Sequence, residues 1–183
     1  MDLDFIRDAL ACPLNPVLDE SGWRPAAVLL LICGRVPHVI MTEKPQHMRV
    51  HAGEISFPGG RPESVDADLC ETALRETREE IGHSADRRSI VGQLGAVHTM
   101  NSRFAILPFV AVQEIIPPMR ANAEVEAILR IPLKPLLETL AADTRRGKGM
   151  FTLQYMDKTI WGASARMLEQ VSSRLAGRRA DMH

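Results

Sequence analysis

The stretch "GGRPESVDADLCETALRETREEIG", residues 59 to 82, is the most informative part of the chain, because it joins a glycine pair to a strongly patterned segment. Cys70, Leu74, Thr77 and Ile81 follow one another at intervals of three or four residues, which is the spacing of one buried helix face. The sequence therefore predicts an amphipathic helix that begins shortly after the glycines.

Both ends of this helix are marked in the sequence. Asp68, followed three residues later by Glu71, fits a capping box, and Asp66 is an alternative N-cap. Gly82 is the residue type that commonly ends a helix.

Three carboxylates crowd the C-terminal half of the predicted helix. Glu76, Glu79 and Glu80 fall within an arc of roughly 100° beside the apolar face. Glu76 and Glu80 are a like-charge pair four residues apart, and the helix dipole disfavours anions near the C-terminus. A solvated face with ion pairs at Glu71–Arg75 and Arg75–Glu79 is the ordinary interpretation, but it leaves Glu76 and Glu80 repelling each other.

A hard divalent cation would resolve this conflict. Mg²⁺ prefers oxygen ligands and usually keeps several waters, which a phosphate substrate can replace. The Gly59–Gly60 turn just upstream could bring backbone carbonyls and amides close to the same ion or phosphate. The residues alone therefore suggest a magnesium site with a phosphate-bearing substrate.

The composition argues against several classes of function. The chain has 183 residues, 45% of them hydrophobic and 25% charged, with a net charge of −1. These values are typical of one globular domain, and the near-zero charge argues against nucleic acid or a membrane surface as a partner. The longest apolar run, residues 26–33, is too short to span a membrane. An acidic N-terminus and three isolated cysteines indicate a cytoplasmic protein with reduced thiols.

The remaining patterns predict one mixed α/β (α+β) domain. Besides the central helix, helices are predicted at residues 3–11, 134–142 and 163–176, and a flexible loop at 144–150. Strands are predicted on either side of a turn at 34–37, at 89–99, at 105–115 and within 126–133. We predict an N-terminal helix and connection (1–24), the main domain (25–176) and a disordered tail (177–183).

The glycine-helix stretch resembles the Nudix box, whose usual form is Gly, five residues, Glu, seven residues, then Arg-Glu-apolar-x-Glu-Glu-x-Gly-apolar. Arg75, Glu76, Glu79, Glu80 and Gly82 all match. The resemblance implies a Nudix fold, in which a mixed β-sheet is sandwiched between helices and a loop–helix–loop forms the metal site.

The departures from the box point to one branch of the family. Five residues separate Gly60 from position 66, where Asp66 stands in place of the usual Glu. Eight residues, instead of seven, then separate Asp66 from Arg75. Thr77 and His83 stand where apolar residues are usual. The stretched spacing and the aspartate are similar to Nudix enzymes that resemble coenzyme A pyrophosphatases.

Other segments are similar to the same branch. Its upstream pattern of Thr, Arg, Arg, Gly and FPGG is matched in residues 42–60 at Thr42, Arg49, Gly53 and residues 57–60. Lys44 replaces the first arginine of that pattern. Residues 122–138 and 160–168 are also similar, so the resemblance covers about residues 25–175.

The resemblance implies a metal centre built on the helix. Glu76 and Glu80 would be the main ligands of Mg²⁺ or Mn²⁺, and Glu79 and the Gly59 carbonyl would be further ligands.

It also implies the catalytic groups. Glu76 would be the catalytic base, with Glu124 as its rival, and Arg75 would orient a carboxylate of the box.

A small-molecule nucleotide is the implied partner. The candidate substrate-binding residues are Lys44, Arg49, His51, Phe57 and Gly60. Of these, arginine suits two-pronged contacts with phosphate and lysine supplies a point charge. Trp161 is expected in the core, with stacking on an adenine ring as the alternative.

The implied reaction is hydrolysis of coenzyme A or acyl-coenzyme A to adenosine 3′,5′-bisphosphate and (acyl-)4′-phosphopantetheine, by a monomer or homodimer. A Nudix hydrolase of ADP-ribose, NADH or dinucleoside polyphosphates is the first alternative. A catalytically idle domain that binds a nucleotide is the second, and the intact carboxylates of the box argue against it.

Overall fold

A long apolar strand organises the fold. In the computed structural model, which describes residues 1–47, 53–99 and 102–181, strand β1 spans Arg24–Cys33. All its residues from Ala26 onward are buried, because an unbroken apolar run has no polar face to turn towards water. The strand β7 (Phe104–Gln113) pairs with β1 in parallel along the full length of both strands.

The other described strands of this sheet are antiparallel to their neighbours. β2 (His38–Glu43) and β4 (Gly59–Gly60) pair with β1, and β3 (Ile55–Ser56) and β8 (Ala127–Pro132) pair with β2. β5 (Ile90–Gln93) and β6 (Val97–His98) pair with β7. Together these strands form one mixed eight-stranded sheet.

Helices cover both faces of the sheet. Helices α1 (Leu3–Leu10) and α4 (Gly162–Ala180) pack on the face that carries Val28, Leu30 and Ile32. Helix α2 (Leu69–Ile81) packs on the opposite face, against Leu29 and Leu31. Successive residues of β1 point to opposite faces, so a single strand supplies both halves of the core. The predicted architecture, a mixed sheet between helices, is confirmed.

The C-terminal third differs from the prediction of a helix at 134–142. Helix α3 is shorter (Leu133–Glu138) and is followed by a small sheet of β9 (Ala141–Ala142), β10 (Phe151–Tyr155) and β11 (Lys158–Ile160). The hydroxyl of Thr139 donates to the Leu136 carbonyl at 2.7 Å and accepts from the Gln154 amide at 2.9 Å. This contact between distant residues ends the helix, and a helical pattern does not reveal it. The predicted loop at 144–150 connects β9 to β10.

Two further boundaries differ. Helix α4 continues to Ala180 through Gly177, so residues 177–180 are helical and the predicted helix end at 176 is wrong. Glycine inside a helix costs about 1 kcal/mol and does not by itself end the helix.

The single strand predicted at 89–99 is divided into a 3₁₀ turn (Arg87–Ser89), β5 and β6.

None of the helices in the described ranges is long and apolar enough to cross a membrane.

Candidate active site

The glycine pair of β4 lies between the central strand and helix α2. β4 approaches β1 so closely that a Cβ atom added at Gly59 would lie 2.2 Å from the Ala27 carbonyl oxygen. A Cβ atom added at Gly60 would lie 2.3 Å from Glu76 Oε1. Gly59 therefore requires glycine, whereas at Gly60 the carboxylate of Glu76 occupies the space that a side chain would take.

Both ends of α2 follow the sequence signals. Asp68 is the N-cap, and its Oδ1 accepts a hydrogen bond from the amide of Glu71 at 3.0 Å. Gly82 ends the helix in the left-handed conformation, with φ of 70°. Asp66, the alternative N-cap, has a different task.

That task is to bind Arg75, which joins the loop before α2 to the carboxylates on the helix. Arg75 Nε and Nη2 donate to the two carboxylate oxygens of Asp66 at 2.9 and 3.1 Å. Its Nη1 donates to Glu76 and Glu79, each at 3.0 Å, and Nη2 also donates to the Arg61 carbonyl at 3.0 Å. The side chains of Arg75 and Asp66 are 9% and 4% exposed, so this two-pronged ion pair is largely shielded from water. The hydrogen bonds of Arg75 are thus directed at the protein itself and hold the side chains of Glu76 and Glu79.

The ion pairs predicted along the helix are only partly correct. The Arg75–Glu79 pair is confirmed, but Glu71 pairs with Arg87 at 2.7 Å instead of with Arg75. Arg87 comes from the 3₁₀ turn beyond the helix and also binds Asp68, a long-range contact that the helix sequence does not show.

Glu80 is the most deeply buried carboxylate of the three, at 4% exposure. Its Oε1 accepts from Lys44 Nζ at 3.1 Å, and its Oε2 accepts from the amide of Gly59 at 3.3 Å. Lys44, which directly follows β2, and Gly59 of β4 therefore meet Glu80 of α2 at this one carboxylate.

The environment changes the proton affinity of two box carboxylates. Burial raises the pKa of Glu80, against the opposing effect of Lys44. Burial also raises the pKa of Glu76. The charge of Arg75 opposes this effect, and the nearby charges of Glu79 and Glu124 add to it. Glu76 and Glu80 each have their own cationic partner, which offsets the repulsion predicted between them.

A loop before β8 closes the C-terminal end of α2. The amides of Arg120 and Asn122 donate to the carbonyls of Ile81 and Glu80 at 2.8 and 3.0 Å. These bonds satisfy carbonyls that a helix end otherwise leaves without partners. They also place Glu124, two residues beyond Asn122, where its charge acts on Glu76. The sequence offered no signal for the capping role of this loop.

Comparison with known proteins identifies this arrangement. A model of the NUDIX domain family matches residues 23–150. The chain belongs to the Nudix hydrolase family. A relative from Photorhabdus laumondii, named "Uncharacterized Nudix hydrolase NudL", is 30% identical over 184 residues, which span 94% of this chain and 96% of the relative. The protein of the same name from Yersinia enterocolitica is 32% identical over 158 residues, or 82% of this chain and 80% of the relative.

Solved Nudix structures share the fold. The NUDIX hydrolase from Alicyclobacillus acidocaldarius superposes with a TM-score of 0.59 at 20% identity, over 90% of this chain and 96% of that one. A MutT/nudix family protein from Enterococcus faecalis gives the same TM-score at 15% identity, over 91% and 66% of the two chains. At these identities the likeness establishes the fold alone.

The Nudix box accounts for most of the predicted site residues. Glu76, Glu79, Glu80 and Arg75 lie together on α2, and the Gly59–Gly60 segment lies against them. Phe57 is 3% exposed and packs in the core, and its substrate contact stays a prediction. Arg49 and His51 lie outside the described residues.

Trp161 is another correction. It is 39% exposed instead of buried, and the guanidinium of Arg146 lies 5.0 Å from the centre of its ring. Arg146 is in turn paired with the buried carboxylate of Asp143. An exposed indole beneath an arginine arises here because the β9–β10 connection folds back over the start of α4, a juxtaposition that periodicity cannot predict.

Nudix hydrolases generally use divalent metal ions such as Mg²⁺, and the donors of this box suit such an ion. All candidate ligands are oxygens, which hard cations prefer. Across the described ranges, however, no three His, Cys, Asp or Glu side chains converge on one point. Arg75 and Lys44 hold the carboxylates, so a bound ion would compete with these two cations.

Gly60→Ala tests whether turnover depends on the position of the Glu76 carboxylate against Gly60. The new methyl group would displace the Glu76 carboxylate, and a displacement of about 1 Å can cost about 100-fold in rate. We therefore expect kcat to fall by about that factor while the protein remains folded, as measured by turnover and circular dichroism. Gly177→Ala, where a Cβ atom would meet nothing within 4 Å, is the matched control and should leave kcat unchanged. Full activity in Gly60→Ala would show that the contact has no catalytic role.

Proposed function

We propose that this Nudix hydrolase splits the pyrophosphate of coenzyme A or acyl-coenzyme A, giving adenosine 3′,5′-bisphosphate and (acyl-)4′-phosphopantetheine. The observation that carries a metal-dependent reaction is the meeting of Glu76 and Glu80 with the Gly59–Gly60 backbone. The coenzyme A assignment is supported by the resemblance of residues 42–60, and by the aspartate at position 66 with its two-pronged bond to Arg75.

Glu76 and Glu80 would hold Mg²⁺ or Mn²⁺, with Glu79 and the Gly59 carbonyl as further ligands. When bound, the cation would offset the negative charge of the pyrophosphate and acidify a water molecule. Arg75 supports this role, because it binds Glu76 and Glu79 through one nitrogen and anchors them to Asp66.

Glu76 is the proposed catalytic base. Burial raises its pKa above the usual value, and a carboxylate of higher pKa accepts a proton from water more readily. Glu124 is the rival base, because it is exposed on the loop before β8 and lies close enough to act on Glu76 electrostatically.

Glu124→Gln separates these two candidates. With Glu76 as the base, kcat at saturating Mg²⁺ should fall by less than about tenfold, whereas loss of a general base costs about 10²–10⁴-fold. Glu126→Gln, an exposed carboxylate two residues along the same loop, is the matched control. A loss of 100-fold or more in Glu124→Gln alone would transfer the role to Glu124.

Lys44 and Arg49 are the proposed phosphate-binding residues, with His51 and the Gly60 backbone as further contacts. Lysine at position 44 also favours the second candidate function, hydrolysis of ADP-ribose, NADH or a dinucleoside polyphosphate. A lysine cannot make the two-pronged contact of the arginine that the coenzyme A branch carries there.

The test is a product analysis over a substrate panel. Purified protein is incubated with coenzyme A, acetyl-coenzyme A, ADP-ribose, NADH and diadenosine tetraphosphate, each with Mg²⁺, Mn²⁺ or EDTA. The proposal predicts the highest kcat/KM for a coenzyme A compound, with adenosine 3′,5′-bisphosphate as a product and no turnover in EDTA. A higher kcat/KM for ADP-ribose would establish the second candidate, and no turnover of any compound would contradict both.

A further inference from the structure

The ammonium of Lys44 lies beside Glu80, one of the proposed metal ligands. Its Nζ lies 3.1 Å from Glu80 Oε1, and the amide of Gly59 donates to Oε2, so both oxygens of this carboxylate already have donors. Glu80 is 4% exposed and the Lys44 side chain 20% exposed. The ammonium therefore neutralises a buried carboxylate that water reaches poorly.

The backbone of Lys44 is held by hydrogen bonds that leave its side chain able to move. The Lys44 amide donates to the Glu54 carbonyl at 3.0 Å, and the Gly53 amide donates to the Lys44 carbonyl at 3.1 Å. These bonds continue the β2–β3 ladder beyond the strands. The flexible four-carbon stem of lysine is free to swing from this fixed point.

A divalent cation that binds Glu80 competes with this ammonium. The two positive charges would lie within a few ångströms of each other in a partly desolvated site, where their repulsion is strong. Either the ammonium leaves Glu80 or the cation binds more weakly. By linkage, the free energy of the Lys44–Glu80 interaction in the metal-free protein reduces the binding free energy of the metal by the same amount.

We infer that Lys44 is the resident counter-ion of Glu80, which the metal must displace, so that the residue at position 44 sets the metal affinity of the site. This inference rests on the proposed function, because it takes Glu80 as a metal ligand. Displacement releases the ammonium beside the Gly59–Gly60 backbone, where it can bind an anionic oxygen of the substrate. Binding of the metal thereby also makes the Lys44 ammonium available to bind phosphate.

The experiment measures Mn²⁺ binding without substrate. Binding of Mn²⁺ to the full chain at pH 8 is followed by electron paramagnetic resonance in the parent, Lys44→Met and Lys44→Gln. Because the competing ammonium is removed, Lys44→Met and Lys44→Gln should each bind Mn²⁺ about tenfold more tightly than the parent. They should also melt at a lower temperature than the parent without metal, and gain more degrees on saturation with Mn²⁺.

Two controls isolate the charge of Lys44. Lys44→Arg keeps a cation at this position and should bind Mn²⁺ as the parent does. Lys134→Met removes an exposed lysine of α3, 3.8 Å from Glu138, and should have no effect on Mn²⁺ affinity.

The outcomes are distinct. Unchanged or weaker Mn²⁺ binding in both Lys44→Met and Lys44→Gln, with a parent that binds Mn²⁺ normally, would overturn the inference and leave the proposed function standing. A parent that binds no Mn²⁺ would overturn the inference and the metal site together. Lys44→Gln retains a donor for Glu80, so it supplies the measurement if Lys44→Met fails to fold.

Discussion

Glu80→Gln is expected to lower kcat by more than the roughly 10–100-fold that loss of an outer-shell partner of a metal usually costs. The substitution keeps the shape of the side chain and removes the negative charge that would hold the cation. Its amide oxygen can still accept from Lys44 or Gly59, so the free energy of unfolding of the metal-free protein should change by only about 1 kcal/mol. Glu76→Gln should behave in the same way, because Arg75 retains its bonds to Asp66 and Glu79.

The measurement is kcat at saturating Mg²⁺ beside the denaturant midpoint without metal. Glu71→Gln is the matched control, since Glu71 lies on the same helix but pairs with Arg87 at a half-exposed position. Parent-like kcat in both Glu76→Gln and Glu80→Gln would refute the metal assignment.

Arg75→Met should have the largest effect on stability. The substitution leaves the carboxylate of Asp66, which is 4% exposed, without its partner, and breaking a buried ion pair from one side costs about 3–5 kcal/mol. Turnover should fall as well, because Glu76 and Glu79 lose the nitrogen that holds them together.

This ion pair also predicts a pH dependence. Hydrogen bonds from Arg75 lower the pKa of Asp66 from 3.8 to about 2 in the folded protein. Because the folded pKa lies below the unfolded one, the stabilisation is present above about pH 4 and is lost as the pH falls through about 2. The stability of Arg75→Met should lack this component of the acid dependence.

Arg87→Met is the matched control for both effects. Arg87 also binds two carboxylates, Asp68 and Glu71, but its side chain is 41% exposed. Pairs of this kind contribute about 0–1 kcal/mol. Urea unfolding between pH 2 and pH 7 measures all three proteins, and equal losses of stability in the two variants would show that the Arg75 network has no special role.

The sequence predicted what depends on local spacing. Helix α2, its N-cap Asp68 and its end at Gly82 follow from periodicity and capping chemistry. The strand predicted before the turn at 34–37 is also confirmed, as β1. The gathering of Glu76, Glu79 and Glu80 at one end of α2 was also readable, because helical geometry fixes their relative directions.

The sequence could not predict the contacts that cross from one element to another. Lys44 is 36 residues from its partner Glu80, and Arg87 is 16 residues from Glu71. Asp66 could be read as a helix cap or as a member of the box, and only the fold shows that it faces Arg75. Nor did the motif that contains Phe57 show that its ring packs in the core.

One measurement bears on the whole account. Crystals soaked in Mn²⁺ are examined by anomalous diffraction at the manganese edge. We expect a strong peak within coordination distance of carboxylate oxygens of both Glu76 and Glu80, with the Lys44 ammonium moved away from Glu80. A peak elsewhere, or no peak while Lys44 remains bound to Glu80 under saturating Mn²⁺, would contradict a metal-dependent reaction at this helix.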